Sequence, residues 1–343
     1  MKIDYCYQGD CRESMRKMLA DGMAGKIQCI VTSPPYWGLR DYGCDGQIGL
    51  EESLPEFLSK LVEVFDLCCQ LLADDGTCWV NMGDSYAARS ISTESFRRDR
   101  AKVAPGKIAI PNGIKPKDLM GQPWRLAFAL QDAGWYLRQD IIWHKPNPMP
   151  ESIRDRCTKS HEYLFLLTKS ERYYYDFDAM QEPVTGGAHG RGSGVNPKAS
   201  TPAGWDTSTG SHDKKTGRYS NNGVGFGHGY DSVVKPRAKQ NASFSAAVKD
   251  LVSTRNRRSV WTIPTQSFSE AHFATFPEAL VEPCIIAGSR PGDIVFDPFL
   301  GSGTTAQVAQ RLGRKWVGCE LNPEYIKLQD ARTRQLGMQL EVA

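Results

Sequence analysis

The sequence predicts an α/β fold, a Rossmann-like, doubly wound and mostly parallel sheet with an inserted irregular region. Short apolar runs typical of strands alternate with segments that repeat at helical spacing, and this alternation indicates the crossover units of a parallel sheet. Between residues 181 and 258 the alternation stops, because that stretch holds twelve of the chain's 32 glycines and has no sustained period. A structureless loop of that length is uncommon unless it is functional, so we expect a recognition insert, with a disordered linker as the alternative.

The first elements surround a Ser-Pro-Pro break. IQCIVTS, residues 27–33, predicts a buried strand that ends at this break. Ser53 and Glu56 form a capping box, which predicts the start of an amphipathic helix. After a turn at residues 74–76, the apolar run TCWVNMGD predicts the next strand.

The same alternation continues up to the insert. GQPWRLAFALQDAGW predicts a helix that ends near Gly134, and YLRQDIIWHK predicts the strand that follows it. Residues 161–176, HEYLFLLTKSERYYYD, consist of two β-rich runs around Lys169-Ser170-Glu171. They predict a hairpin at the edge of the sheet.

After the insert the α/β pattern resumes. Residues 272–288 predict a helix, DIVFDPFL a strand, GSGTTAQVAQRLG a glycine turn that opens a helix, and KWVGCEL a further strand. The last helix has Asn322 as its N-cap and Pro323 at its first position. The chain is therefore predicted to have three parts: a catalytic half at 1–180 with a basic loop at 87–120, the insert at 181–258, and a cofactor half at 259–343.

The composition is that of a protein with a sizeable core and no membrane anchor. Hydrophobic residues make up 40% and charged residues 24%, and no apolar run approaches the length needed to cross a bilayer. The N-terminus also shows no apolar region typical of a signal peptide. Ten cysteines occur without a C-x-x-C pair, which predicts buried thiols, no metal site and a cytoplasmic location.

The charge is unevenly distributed. The net charge of the whole chain is only +3, yet residues 181–258 carry twelve Lys and Arg against five Asp and Glu, and residues 87–120 carry eight against three. Local basicity in a nearly neutral protein predicts one surface that faces a polyanion.

One motif predicts a nucleotide-type pocket. DPFLGSGTT, residues 297–305, joins an apolar strand to a helix, and glycines at such a junction let the backbone approach a ligand closely. The next strand ends about twenty residues later in Glu320, whose carboxylate can accept hydrogen bonds from both ribose hydroxyls. Because no G-K-[ST] follows the glycines, an ATPase is excluded.

The second motif is Ser33-Pro34-Pro35-Tyr36 at the end of another strand. The two prolines fix two φ angles and remove two N–H donors, so backbone carbonyls here are held rigidly and face outward. The Ser33 hydroxyl and such a carbonyl could accept both hydrogens of an amino group, and Tyr36 offers a flat face to a base. The alternative is a simple strand stop.

Together these motifs resemble those of the DNA amino-methyltransferases that use S-adenosylmethionine. TSPPYWG comes before DPFLGSGTT and VGCEL, with a variable region between them, and this order resembles the β arrangement of the family. The resemblance covers nearly all of the chain except the glycine-rich middle. It implies S-adenosylmethionine as cofactor, S-adenosylhomocysteine as product, duplex DNA as substrate and a flipped base as acceptor.

The resemblance also implies the roles of individual residues. Ser33, Pro34, Pro35 and Tyr36 would be catalytic, with Trp37 as a second stacking candidate. Glu320 would hold the ribose and Asp10 would contact the adenine, whereas the methionine half would be held by Asp297, Phe299, Gly301, Gly303 and Thr304. The helix before the cofactor loop resembles the family's at His272, Phe273, Phe276 and Pro277.

The target amino group stays open between adenine N6 and cytosine N4. In the family an aspartate at the position of Ser33 usually accompanies adenine, and serine is commoner for cytosine. A hydroxyl and a carboxylate can nevertheless both accept hydrogen bonds from either amine. Pro283-Cys284, the dipeptide that a cytosine-C5 enzyme would need, falls within a predicted helix and not at a strand end.

Basic side chains are expected to contact DNA phosphates and base edges. A homodimer and a companion restriction endonuclease are further expected partners. The rival hypotheses are an RNA base methyltransferase and a DNA-binding module that retains the cofactor fold without turnover. The candidates for DNA contact are Arg97, Arg98, Lys235, Arg237, Arg255, Arg257 and Arg258.

Overall fold

The computed structural model describes residues 2–38, 41, 43–87, 114–183, 254–266 and 277–334. The chain divides into two compact units, of which the first combines Met1–Gln181 with Asn256–Ala343. The second unit is Glu182–Arg255, in which residues 182–183 and 254–255 are described. The sheet and the site presented below belong to the first unit.

An eight-stranded sheet has the order β1-β10-β9-β2-β3-β5-β4-β8, and β6 and β7 form a separate two-stranded sheet. Neighbouring strands of the large sheet are parallel except that β5 runs antiparallel to both β3 and β4. The strands are β1 (Tyr5–Gln8), β2 (Ile27–Thr32), β3 (Leu72–Met82), β4 (Tyr136–His144), β5 (His161–Thr168), β6 (Gln181–Pro183), β7 (Thr254–Asn256), β8 (Val260–Thr262), β9 (Ile294–Asp297) and β10 (Lys315–Glu320).

Six helices of the described chain flank this sheet. They are α1 (Cys11–Ala20), α2 (Leu54–Leu71), α3 (Gln122–Asp132), α4 (Glu278–Gly288), α5 (Thr304–Arg311) and α6 (Pro323–Arg334). None of these helices is long and apolar enough to cross a membrane.

The core lies in two layers, one on each face of the sheet. Successive residues of a strand point to opposite faces, so Ile30 packs with the apolar residues of α1, α2 and α3, whereas Val31 packs with those of α4 and α5. Both layers are buried, which is why β2 is apolar on both faces and has no polar alternation. Seven of the ten cysteines are also buried, and no disulfide joins them within the described residues.

The predicted fold class is confirmed, and two helix starts behave as the sequence indicates. The Ser53 hydroxyl accepts a hydrogen bond from the backbone N–H of Glu56 at 3.3 Å, which caps α2. The Asn322 side chain accepts from the backbone N–H of Glu324 at 3.0 Å, and α6 begins at Pro323.

The predicted edge hairpin is wrong. The first run forms β5, but β5 lies inside the sheet between β3 and β4. Residues 171–176 form no strand, because their backbone bonds elsewhere: the N–H of Tyr174 donates to the carbonyl of Asp75, and that of Asp176 donates to Ala287. The buried run Leu164–Leu167 therefore reflects an interior strand, a distinction that β propensity alone does not make.

Candidate active site

A cleft of about 350 Å³ lies where the parallel strands β1, β2, β9 and β10 reach their carboxyl ends. Ser33, the residue after β2, and Gly301, in the loop after β9, both line this cleft. Neighbouring parallel strands end at the same edge of a sheet, so the two sequence motifs meet there. The predicted site residues that line it are Asp10, Ser33, Pro34, Pro35, Tyr36, Phe299, Gly301, Thr304 and Glu320.

Asp297 does not line the cleft. It lies within the sheet and connects the end of β2 to the glycine loop that follows β9. Its Oδ1 accepts hydrogen bonds from the Thr32 hydroxyl at 2.6 Å and from the backbone N–H of Phe299 at 2.9 Å. Its Oδ2 accepts from the Thr305 hydroxyl at 2.7 Å. Burial raises the pKa of Asp297 to about 6, against which these three hydrogen bonds act.

Glu320 closes the glycine loop with its carboxylate. Its Oε2 accepts from the backbone N–H of Gly301, and its Oε1 accepts from that of Asn322, both at 2.8 Å. Burial raises the pKa of Glu320, and the two backbone hydrogen bonds oppose that rise. A carboxylate has about four acceptor positions, so each oxygen retains capacity to accept from a ligand.

Helix α6 holds the glycine loop through Gln329 and Arg332, neither of which lines the cleft. Gly303 has a φ of 91°, and a Cβ at this position would lie 3.0 Å from Cγ of Gln329. The Gln329 amide donates to the carbonyl of Gly301 at 2.5 Å, and Arg332 donates to the Thr304 hydroxyl at 3.0 Å. Gly303 itself is absent from the cleft lining, so it shapes the loop from behind.

Asp10 lines the cleft as the N-cap of α1, directly after β1. Its Oδ1 accepts from the backbone N–H of Arg12 at 2.7 Å, and its carboxylate also pairs with the Arg12 guanidinium. Burial alone would raise the pKa of Asp10, but the hydrogen bonds and charge of Arg12 outweigh it and lower that pKa. The carboxylate therefore stays ionised beside the cleft.

Around Ser33 and Tyr36 the structure adds side chains that the sequence did not single out. The Ser33 hydroxyl donates to Oδ1 of Asn81 at 3.4 Å, and the Tyr36 hydroxyl donates to Oε2 of Glu162 at 2.9 Å. Burial and the charge of Glu162 raise the pKa of Tyr36 well above its usual value. Asn81 could have been found, because it lies near the end of a predicted strand, at the edge where the motifs converge.

Trp37 lies outside the cleft. Its side chain is buried in the core, and its indole N–H donates to the carbonyl of Glu51 at 2.9 Å. It anchors the chain that follows the motif, so of the two stacking candidates only Tyr36 lines the cleft. Cys284 is likewise buried, in α4, where its thiol donates to Leu280 within the same helix.

The predicted DNA-contacting residues divide into two groups. Arg257 and Arg258 are described and exposed, with the Arg257 guanidinium 4.3 Å from the ring centroid of Trp261. Arg255, in the second unit, pairs with Glu182 at 2.8 Å. Outside the described residues lie Arg97, Arg98, Lys235 and Arg237, as do His272, Phe273 and Phe276 of the predicted helix, whereas Pro277 is the N-cap of α4.

A doubly wound sheet with a Ser-Pro-Pro-Tyr motif and a glycine loop on one cleft defines the class of Rossmann-like methyltransferases. The model of the N6/N4 DNA methylase family matches residues 27–331. The chain belongs to this family, and it is a site-specific DNA amino-methyltransferase that uses S-adenosylmethionine. The rival hypotheses of an RNA enzyme and of a non-catalytic module are not favoured.

Several bacterial relatives are similar over almost the whole chain. The Type II methyltransferase M.Cfr9I of Citrobacter freundii is 43% identical over 94% of this chain and 85% of its own. The Type II methyltransferase M.SmaI of Serratia marcescens is 42% identical over 94% of this chain and 88% of its own.

Solved structures share the fold at lower identity. A DNA modification methylase of Thermus thermophilus in complex with S-adenosyl-L-methionine is 22% identical, with a TM-score of 0.54 over 97% of this chain and 94% of its own. The PvuII DNA methyltransferase, described as cytosine-N4-specific, is 18% identical, with a TM-score of 0.54 over 98% and 95%. The mostly parallel sheet described above is therefore the fold of these methyltransferases.

The residues of the cleft fit S-adenosylmethionine. The backbone of Gly301 is exposed to the cleft without a side chain, and the carboxylate of Glu320 can accept from a pair of hydroxyls beside it. The cleft volume also falls within the range of small-molecule sites, which is about 300 to 1,000 Å³.

Proposed function

We propose that this enzyme methylates the N4 amino group of a cytosine that has been flipped out of duplex DNA. The observation that carries the proposal is the single cleft shared by Ser33 to Tyr36 and by the glycine loop with Glu320. The choice of cytosine rests on Ser33, since serine at this position accompanies cytosine more often than adenine in the family.

In this proposal Ser33 acts as a hydrogen-bond acceptor towards the amino group. A hydroxyl has one hydrogen, and here Ser33 can donate it to Oδ1 of Asn81, at 3.4 Å, or to the neighbouring Tyr36 oxygen. The Asn81 amide is oriented by its own N–H, which donates to the carbonyl of Tyr163 at 3.1 Å, so its oxygen faces Ser33. The lone pairs of the Ser33 oxygen therefore remain available to the substrate.

The carbonyl of Pro34 supplies the second acceptor. The proline rings at Pro34 and Pro35 fix φ at both positions, so the carbonyl between them has little freedom to turn away. An exocyclic amine is a poor nucleophile because its lone pair is delocalised into the base. When both N–H groups donate to fixed acceptors, the nitrogen moves towards sp³ and its lone pair returns for attack.

S-adenosylmethionine supplies, when bound, a methyl group already activated by a positively charged sulfur. The contribution of the chain is to position the amine, to exclude water and to hold charge. We assign the methionine half of the cofactor to Phe299, Gly301 and Thr304, its ribose to Glu320 and its adenine to Asp10. Asp297 and Gly303 act through the shape of the loop.

The base must leave the duplex to reach this cleft, which costs a few kcal/mol of unstacking and unpairing. Stacking on Tyr36 offsets part of that cost, since stacking on an aromatic side chain contributes about 1 to 3 kcal/mol per base. The insert at 181–258 and the loop at 87–120 read the recognition sequence, with Lys235 and the arginines named above at phosphates and base edges. The proposal also includes a homodimer, a companion restriction endonuclease and a cytoplasmic location. The Type II names of the relatives support the endonuclease.

The test is to identify the methylated nucleoside. Duplex DNA is incubated with the enzyme and labelled S-adenosylmethionine, digested to nucleosides and analysed by mass spectrometry, with tRNA as a parallel acceptor and Ser33→Ala as the control variant. We expect N4-methylcytosine in DNA, no labelled tRNA, and loss of product with Ser33→Ala. N6-methyladenine as the product would overturn the assignment to cytosine.

A further inference from the structure

An ion pair lies beside Tyr36 in the cleft. Oε2 of Glu162 accepts the hydrogen bond of the Tyr36 hydroxyl, while Oε1 of Glu162 pairs with the ammonium of Lys145. The side chains of Glu162 and Lys145 are only 15% and 18% exposed. Both residues line the cleft together with Ser33.

The sheet fixes the position of this pair. Antiparallel pairing of β4 with β5 places Trp143 opposite Glu162, and the backbone N–H of Lys145 donates to the carbonyl of Ser160 at 2.7 Å. The Lys145 ammonium also lies 4.3 Å from the ring centroid of Trp143. Backbone register and a cation–π contact therefore orient Lys145, and Lys145 orients the carboxylate.

Gly83 provides the space in which the tyrosine and the carboxylate meet. A Cβ at this position would lie 3.0 Å from Cε2 of Tyr36 and 3.2 Å from Cδ of Glu162. The ring edge and the carboxylate are thus packed directly against backbone. The Tyr36 oxygen lies on the Cβ–Cγ axis of the ring, so its hydrogen bond to Glu162 fixes the position of the hydroxyl end of the ring. The Gly83 backbone beside Cε2 limits how far the ring can turn about that axis.

Stability does not explain this pair well. Desolvating two charges costs several kcal/mol, and a buried ion pair often stabilises a fold no better than apolar residues of the same size. A nucleobase is uncharged and needs no counter-ion. The arrangement is instead suited to hold the hydroxyl end of the Tyr36 ring in place.

We propose that Glu162, held by Lys145, is a positioning residue that fixes the hydroxyl end of the Tyr36 ring, so that the ring meets the target base beside Ser33. This inference rests on the proposed function, in which Tyr36 stacks on the flipped base. Glu162 acts only through the Tyr36 hydroxyl, so its contribution disappears when that hydroxyl is removed.

A double-mutant cycle tests this dependence. Tyr36→Phe, Glu162→Gln and the double variant are compared with wild type for kcat and KM on duplex DNA, for the Kd of S-adenosylmethionine, and for melting temperature. We expect each single variant to lower kcat/KM for DNA by about tenfold, as for a lost hydrogen bond to a charged group, with the cofactor Kd unchanged. The double variant should match Tyr36→Phe within about twofold.

Glu278→Gln is the matched control, because it breaks the partly buried ion pair of Glu278 with Arg311, and neither residue lines the cleft. It should leave kcat/KM for DNA at the wild-type value. If Glu162→Gln lowers the melting temperature by more than about 5 °C, Lys145→Met replaces it in the same cycle, with the same expected lack of additivity.

Two different failures can be told apart. If the losses multiply to about a hundredfold in the double variant, Glu162 acts independently of Tyr36 and the positioning role is wrong. If wild-type enzyme yields no N4-methylcytosine, the proposed function fails whatever the cycle gives. A rise in the cofactor Kd with Glu162→Gln would likewise overturn the positioning role.

Discussion

The Thr32 hydroxyl donates a 2.6 Å hydrogen bond to the carboxylate of Asp297, inside the sheet and behind the cleft. Thr32 directly precedes Ser33, and Asp297 is the last residue before the glycine loop. These residues are 265 positions apart in the sequence, so this bond fastens the strand that leads to Ser33 to the strand that leads to the glycine loop. Asp297 thus acts through the alignment of two strands.

Asp297 gives the stability of the protein a defined dependence on pH. Because burial raises its pKa from 3.8 to about 6, the folded protein holds this proton more tightly than the unfolded chain does. The free energy of unfolding therefore falls as pH rises from about 4 to above 6, by on the order of 3 kcal/mol in all. Asp297→Asn has no proton to lose and should lack this dependence.

Urea unfolding of wild type and Asp297→Asn between pH 4 and pH 8 measures the effect. The difference in unfolding free energy between the two proteins should change with pH in the stated direction. Asp74→Asn, at a side chain that is 92% exposed, controls for the loss of one carboxylate. A difference that is the same at every pH would contradict the argument.

Replacing Tyr36 by alanine should affect DNA and not the cofactor. The ring lies at the Ser33 end of the cleft, so Tyr36→Ala should lower kcat/KM for duplex DNA by about tenfold to a hundredfold, which is the value of one base stack. Calorimetry should give an unchanged Kd for S-adenosylmethionine. Tyr136→Ala is the control, because Tyr136 is the first residue of β4 and does not line the cleft. Loss of cofactor binding in Tyr36→Ala would show that the roles are misassigned.

Glu320→Gln should weaken cofactor binding. The carboxylate accepts from the backbone N–H groups of both Gly301 and Asn322, whereas an amide would direct its own N–H₂ at one of these donors or at the ribose. We expect the Kd of S-adenosylmethionine to rise by about tenfold to a hundredfold, with DNA affinity retained. Glu324→Gln, at an exposed side chain in the first turn of α6, should bind the cofactor normally. If Glu320→Gln binds S-adenosylmethionine as tightly as Glu324→Gln does, Glu320 does not hold the cofactor.

Gly303 should tolerate a side chain less well than Gly301, although only Gly301 lines the cleft. At Gly303 the φ of 91° costs about 1 to 2 kcal/mol for a non-glycine residue, and its Cβ would also press on the Gln329 side chain at 3.0 Å. At Gly301 the nearest atom is 3.9 Å away, so conformational strain is the main cost. Gly303→Ala should therefore lower the melting temperature more than Gly301→Ala does.

Gly313→Ala provides the reference for strain alone, since its φ is 71° and nothing lies within 4 Å of its Cβ. Its melting temperature should resemble that of Gly301→Ala. If Gly303→Ala proves as stable as these two, the contact with Gln329 is not what keeps this glycine.

Much of the fold could be predicted because its signals are local. The cap of α2 at Ser53 and the cap of α6 at Asn322 depend on side chains within a few residues of the helix start. The placement of β5 could not be predicted in this way, since a run of apolar β formers looks the same in an edge hairpin and in an interior strand. The path of the chain after Ser170 could not be predicted either, because its backbone bonds to distant residues, Asp75 and Ala287.

The sequence by itself determined the two motifs, their order and the class of chemistry, because residue type and spacing set which groups stand at the ends of two strands. Only the tertiary structure decided which of those groups face the cleft. It turned Asp297 inward to Thr32 and Thr305, and it brought Asn81 and Glu162 to Ser33 and Tyr36. The reason is physical: a hydrogen bond between strands depends on sheet order and register, which distant segments establish only when they pack together.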